Sequence, residues 1–230
     1  MASTPASPHT KPARPVKLTV QAVIEQISED ILHGTHLPGQ QLHEISMAGA
    51  LGVSRNTLRE AFRGLVHNGL LDYYPHRGVF VRVITAQQAR ELYRSRRIVQ
   101  VAVLQALEHG ELPSPAVAKG LQGMRNAVER ALAARVQGDW MEVGSQNYAF
   151  HQAMFDLAGS ECISKAARGL LMQTRVAFFG ASSAEHMHAS FVELNVELLG
   201  LLERKEYAQA IAALRAYLDV AEARVAELLP

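Results

Sequence analysis

The chain has 230 residues, 48% of them hydrophobic, which is enough to bury a real core and excludes a fibrous or wholly disordered protein. Lys and Arg number 23 against 22 Asp and Glu, a net charge of +1, so any nucleic-acid contact must come from a local patch rather than a polybasic coat. The single Cys162 excludes an intrachain disulfide and a cysteine zinc knuckle, and no apolar run is long enough to span a bilayer.

Residues 1–15 are rich in Pro, Ser, Thr and Ala and bury too little to offset ordering entropy, so a disordered, solubilising tail is expected. Its Lys11 and Arg14, with Lys17, offer a subsidiary phosphate contact. The tail lacks the hydrophobic centre of a signal peptide, and a cytoplasmic protein without a membrane partner is expected. From Lys17 onward Val20, Val23, Ile24, Ile27 and Ile31 fall at spacings of three and four, a helix that Gly34 and Leu37-Pro38-Gly39 stop. A short helix over 44–51 follows, then Gly52-Val53, then a helix capped by Ser54 and closed by Gly69. Two β-type runs, 70–74 and 79–83, flank the turn Pro75-His76-Arg77-Gly78. Beyond Ile84 the pattern is helical. Thr85 with Gln88 and Asp139 with Glu142 resemble capping boxes, and Ser114-Pro115 reads as a cap before a first-turn proline. Six helices are expected: 85–109, 114–137, 139–158, 161–179, 183–204 and 206–229. The fold class is therefore mainly α, an N-terminal winged helix-turn-helix (16–84) followed by a six-helix antiparallel bundle (85–230). Residues 1–85 hold 8 Lys and Arg against 6 Asp and Glu, so the case for nucleic acid rests on where the basic groups sit.

In the second helix of the helix-turn-helix, Leu58, Phe62 and Leu65 form one apolar stripe. Ser54, Arg55, Asn56, Thr57 and Arg59 crowd its exposed N-terminal end, the end that a recognition helix places in the major groove. Arg pairs with guanine O6 and N7 and Asn with adenine, while hydroxyl and N–H groups at a helix start suit phosphate. At the tip of the ribbon Arg77 and His76 can reach phosphate or minor groove, and Gly78 lets the backbone approach closely. A turn chosen only for its geometry is the competing explanation for His76.

These residues resemble a known family. Leu37-Pro38-Gly39, Leu42-His43-Glu44, Leu51-Gly52-Val53-Ser54-Arg55, Leu58-Arg59-Glu60-Ala61-Phe62, Leu65, Gly69-Leu70 and Arg77-Gly78-Val79-Phe80-Val81 resemble the winged helix of GntR-type bacterial transcription regulators. Asn56-Thr57-Leu58 stands where Thr-Pro-Val is commoner, and Met47-Ala48-Gly49 where a Leu-Ala pair is usual. In the helical segment, residues 91–97, Phe150-His151 with Leu157-Ala158-Gly159, and 199–218 resemble the FadR-type (FCD) sensor domain.

That resemblance implies a homodimer that binds a pseudo-palindromic double-stranded DNA operator and responds, typically as a repressor, to a small organic-acid effector. Many FCD domains hold a divalent metal with one Asp and three His. The matching positions here are Asn147, His151, Asn195 and Tyr217. Amide oxygens and a phenol are poor replacements for carboxylate and imidazole, so no metal and no other cofactor is expected. His186 and His188 are a possible substitute pair, although i, i+2 positions on a helix point apart. Arg96, Asn147, His151, Asn195 and Tyr217 are then the candidate effector-binding residues. The competing roles are an interhelical ion pair for Arg96 and a satisfied interior histidine for His151. Met154, Phe155, Met172, Phe178 and Phe179 read as core. No HExxH, Gly-rich phosphate loop or cysteine-nucleophile signature occurs, so no enzyme is expected. The alternative is a helical segment that only dimerises and senses nothing.

Overall fold

The computed structural model describes residues 18–178, 184–227 and 229, with the backbone alone for 184–187. The expected tail, Phe179 and the side chain of His186 lie outside these residues.

Helix α1 (Val20–Leu32) is capped by Thr19, whose side chain accepts from the Ala22 N–H, and buries Val23, Ile27 and Ile31. Gly34 and Gly39 then take positive φ and turn the chain into β1 (Gln41–Leu42). Next come α2 (Glu44–Ala50) and α3 (Arg55–His67), which packs Leu58, Ala61, Phe62 and Leu65 inward. At its end Gly69 adopts φ +72°, and the Leu70 N–H returns to the Leu65 carbonyl. The wing is β2 (Leu71–Tyr74) and β3 (Gly78–Val81), antiparallel, with Leu71 opposite Val81 and Tyr74 opposite Gly78.

The sheet has three strands in the order β1-β3-β2, one more than the sequence pattern implies. Two residues are too few to show an alternation of period two, so β1 has no sequence signature; it forms because Gln41 and Leu42 pair with Phe80 and Val79.

Among the described residues six helices follow: α4 (Ala86–Glu108), α5 (Ser114–Val136), α6 (Trp140–Asp156), α7 (Glu161–Phe178), α8 (Ala184–Glu203) and α9 (Tyr207–Ala226). Thr85 and Gln88 form a full capping box. Asp139 accepts from the Glu142 N–H, but the Glu142 carboxylate accepts from Gln146 instead of returning to the cap. Ser114 is not a cap. Pro113 occupies that position, and its carbonyl takes the Ala116 and Val117 N–H groups, the donors a Ser114 cap needs. The most extensive helix packing is α5 on α6 and α4 on α9, with α6 also against α7 and α8. One hydrophobic cluster runs from Val23 in α1 to Val225 in α9, so the mainly helical bundle and the winged helix share apolar contact. Among the described residues no helix is long and apolar enough to cross a membrane.

Candidate functional site

Two polar sites stand out, one outside and one inside. On the outside, Ser54 caps α3: its oxygen accepts from the Thr57 N–H at 3.1 Å and lies 2.8 Å from the Thr57 hydroxyl. The two hydroxyls thus hold the helix start in place. Arg55, Asn56 and Arg59 project into solvent, with 65% of the Arg55 and 58% of the Arg59 side chain exposed. Both guanidinium groups approach one carboxylate, Glu44 at the start of α2, at 3.8 and 3.7 Å. Pairs this long and this exposed contribute about 0–1 kcal/mol and yield readily to phosphate.

The wing tip is exposed and shaped by His76 at φ +62° and Gly78 at φ +96°. Gln41 donates to the Arg77 carbonyl at 2.7 Å and ties the tip to β1, and a Cβ on Gly78 would stand 3.1 Å from that amide. The Arg77 guanidinium rests over the Tyr74 and Phe80 rings, so it is pre-ordered while remaining open to solvent. Between α3 and β2 lies a concave surface of about 360 Å³, lined by Arg59, Arg63 and Tyr73 over a floor of Phe62 and Val79. The eight residues Ser54, Arg55, Asn56, Thr57, Arg59, His76, Arg77 and Gly78 thus occupy the start of α3 and the wing tip. Glu44 and Gln41, which steady them, carry no sequence signal of that role.

Inside the bundle, Asn147 on α6 accepts two hydrogen bonds at one oxygen, from Asn195 at 2.7 Å and from the Tyr217 hydroxyl at 2.8 Å. The His151 ring stands edge-on to Tyr217, with centroids 4.8 Å apart. Gln100 donates to His151 Nδ1 at 2.9 Å, which leaves the proton on Nε2. Arg96 is buried beneath the surface with its guanidinium over the Tyr93 ring. It makes no ion pair among the described residues; the interhelical pair belongs to its neighbour Arg97, with Asp219 and Glu222.

Arg96, Asn147 and His151 border one cavity of about 20 Å³, together with Gly144, Arg175 and His188. Arg175, which lines this cavity, and Gln100, which bonds His151 beside it, have no place in the sequence-based site; His188 entered there only as a substitute metal ligand, and Phe178, read there as core, lines the cavity too. Arg175 had a usable signal: with Leu171, Thr174 and Phe178 it falls on the buried stripe of α7, where a cation needs a reason. Met154 and Phe155 are fully buried, as core residues are.

Burial sets the charge states. His151 is held well below its usual pKa by desolvation and then by Arg96. His188 is pushed down to about 3 by desolvation, then by Arg175 and Arg224. Desolvation lowers Arg175 to about 10, where it is still a cation at neutral pH. Arg175 donates to His188 Nε2 at 2.7 Å, so that imidazole carries its proton on Nδ1. Of the residues that line the cavity, those with a buried polar atom lacking a partner among the described residues are Arg96 at Nε, His151 at Nε2 and His188 at Nδ1; the unpartnered acceptors Gln100 Oε1 and Asn195 Oδ1 lie outside the lining. All three are hydrogen-bond donors. Such a wall suits an anion.

It does not suit a divalent metal. His151 is the only imidazole among the four matching positions, the Asn147 oxygen is already occupied by two donors, and two arginines border the cavity. No group of three or more His, Cys, Asp or Glu able to hold a metal occurs among the described residues.

The FCD domain model matches residues 91–220, and the model of the bacterial regulatory proteins of the gntR family matches residues 19–81. The HTH-type transcriptional repressor RspR of Escherichia coli K12 is 30% identical over 149 residues, 64% of this chain and 61% of RspR. The uncharacterized HTH-type transcriptional regulator YdhC of Bacillus subtilis is 28% identical over 134 residues, 58% of each chain. The matched part of this chain thus spans about 60% of the length of those curated relatives. A putative GntR transcriptional regulator from Rhodococcus sp. RHA1 superposes with a TM-score of 0.83 at 32% identity, covering 92% of this chain and 99% of that one. The fold alone is shared with Escherichia coli McbR/YncC, at a TM-score of 0.75 and 19% identity over 90% of this chain and 97% of that one. With both domain models matched in order, the chain belongs to the GntR family of bacterial regulatory proteins, in its FadR-type branch with an FCD domain.

Proposed function

We propose that this protein is a DNA-binding transcriptional regulator, a homodimer that grips a pseudo-palindromic operator and releases it when a small organic acid enters the helical domain. Residues 16–84 form the DNA-binding unit and 85–230 the sensing and dimerising one. Arg55, Asn56 and Arg59 read base edges, Ser54 and Thr57 fix the helix start, and His76, Arg77 and Gly78 meet the flanking backbone. RspR is named a repressor, which supports the same sign here. A protein acting on DNA in a bacterium works in the cytoplasm.

The observation that carries the sensing half is the set of buried donors around the cavity, Arg96 Nε, His151 Nε2 and His188 Nδ1, facing no acceptor of their own. Leaving such groups unsatisfied costs about 1–3 kcal/mol each, and a carboxylate satisfies them. The cavity holds about one water as it stands. An acid therefore enters only as the surrounding helices part, which makes binding and conformational change one event. The donor wall and the lost carboxylate and imidazoles support an effector gripped directly, with no metal between.

Selection of bound duplexes from a random library yields the operator, and Arg59→Ala weakens it by about 1–3 kcal/mol if that side chain reads a base. Unchanged affinity removes Arg59 from the interface. A thermal-shift screen of small organic acids raises the melting temperature of the wild type and not of Arg96→Gln. A screen without a hit supports a helical domain that only dimerises. Near-stoichiometric zinc or nickel in chelator-free protein contradicts direct grip.

A further inference from the structure

Helix α7 touches both sites. Near its C-terminal end Gln173 donates to the Asn68 carbonyl, the cap of the recognition helix, at 3.2 Å. Two residues on, Arg175 borders the cavity and donates through Nε to the Leu32 carbonyl at 3.3 Å. Leu32 is the last residue of α1, and its carbonyl belongs to the last turn, whose acceptors have no partner within the helix. A cation there is favoured by the helix dipole. The same guanidinium donates to His188 and, through Nη2, to the Met141 carbonyl at 3.0 Å. It reaches them by lying against Gly144 of α6, where any Cβ would stand 1.9 Å from Nη1. A glycine in mid-helix costs roughly 1 kcal/mol relative to alanine, and here it makes room for the arginine.

We propose that Arg175 is the coupling residue of this regulator: an anion entering the cavity draws its guanidinium off the Leu32 carbonyl, and the freed end of α1 loosens the winged helix. The ligand in this statement rests on the function proposed above; the latch between Arg175 and α1 does not. Of the acceptors of Arg175 among the described residues, Leu32 and Met141 offer neutral carbonyls and His188 a neutral imidazole, with the Glu142 carboxylate acting on it only through its charge; a carboxylate in the cavity accepts charge-assisted, bidentate hydrogen bonds about twice as strong. The fork geometry of arginine allows that exchange of partners, and a lysine point charge does not reproduce it. Movement at α1 is felt by α3 because the two helices pack directly, with Ile24 pressed against Gly64.

Hydrogen exchange on the full-length chain tests the latch. Gly144→Ala puts a good helix former into α6 but evicts the guanidinium, and Arg175→Lys keeps the charge but loses the fork. Both variants exchange the amides of residues 30–36 about tenfold faster than wild type, while α4 and α9 exchange as before. Both also lose about tenfold in affinity for the selected operator. With succinate as the probe, the wild type shows the same two changes, whereas adding succinate to Arg96→Gln produces neither. Unchanged exchange at 30–36 in both variants overturns the proposal. Faster exchange throughout Gly144→Ala marks a damaged fold, and Arg175→Lys then decides alone. Loosening in both variants without any wild-type response to succinate upholds the latch and counts against the carboxylate reading instead.

Discussion

The two sites use the same side-chain types under opposite solvation. At the start of α3, Arg55, Asn56 and Arg59 stand in water, loosely steadied by Glu44. Within the bundle, Arg96 is 3% and Arg175 is 4% exposed, with His151 and His188 beside them. An exposed arginine costs folding almost nothing and keeps its full charge for a polyanion that arrives by diffusion. A buried one has lost its water, which is tolerable only with good acceptors at hand. The outer site is thus ready before its ligand comes, whereas at the inner site Arg96 Nε, His151 Nε2 and His188 Nδ1 are buried without an acceptor among the described residues. That difference suits the proposed pairing of a surface always open to DNA with a conditional response to a small anion.

The contrast breaks if stability does not follow burial. Asn147→Ala strands both the Tyr217 hydroxyl and the Asn195 amide and should cost about 3 kcal/mol in denaturant unfolding, whereas Asn56→Ala should stay within about 0.5 kcal/mol. Acid sharpens it next. His151 and His188 have folded pKa values below their unfolded ones, so the unfolded chain binds more protons and stability is fully present only above about pH 6.5. As pH falls from there toward the folded value of about 3 for His188, each histidine removes up to about 1.4 kcal/mol per pH unit. His188→Gln should flatten that slope by the share of one group, read from melting temperatures across pH 7 to 5. At the outer site, Arg77→Ala should leave stability alone and lower the salt dependence of operator binding by about one counterion. The smallest effect belongs to Glu44→Gln: releasing Arg55 and Arg59 from a weak pair should tighten DNA binding a few-fold at low salt and not at high salt.

Much of this architecture was written locally. The α3 stripe of Leu58, Phe62 and Leu65, the Ser54 cap, the Thr85–Gln88 box and the glycine at Gly69 each act within one or two turns, so spacing alone reveals them. The four FCD positions were likewise legible from the motif, and Asn147, His151, Asn195 and Tyr217 do meet in one network. Ser114 misled because the choice between it and Pro113 depends on which carbonyl captures the first free N–H groups. Strand β1 was invisible because its pairing partner lies far along the chain.

The sequence by itself determined the order of the helices, the two-stranded wing and the outward row at Arg55 and Arg59, since hydrophobic period and capping are short-range properties. Tertiary structure alone decided what lies beside Arg175. Its neighbours Leu32, Met141, Gly144 and His188 come from three other helices, and the contacts that give a buried cation its meaning are set by how those helices pack.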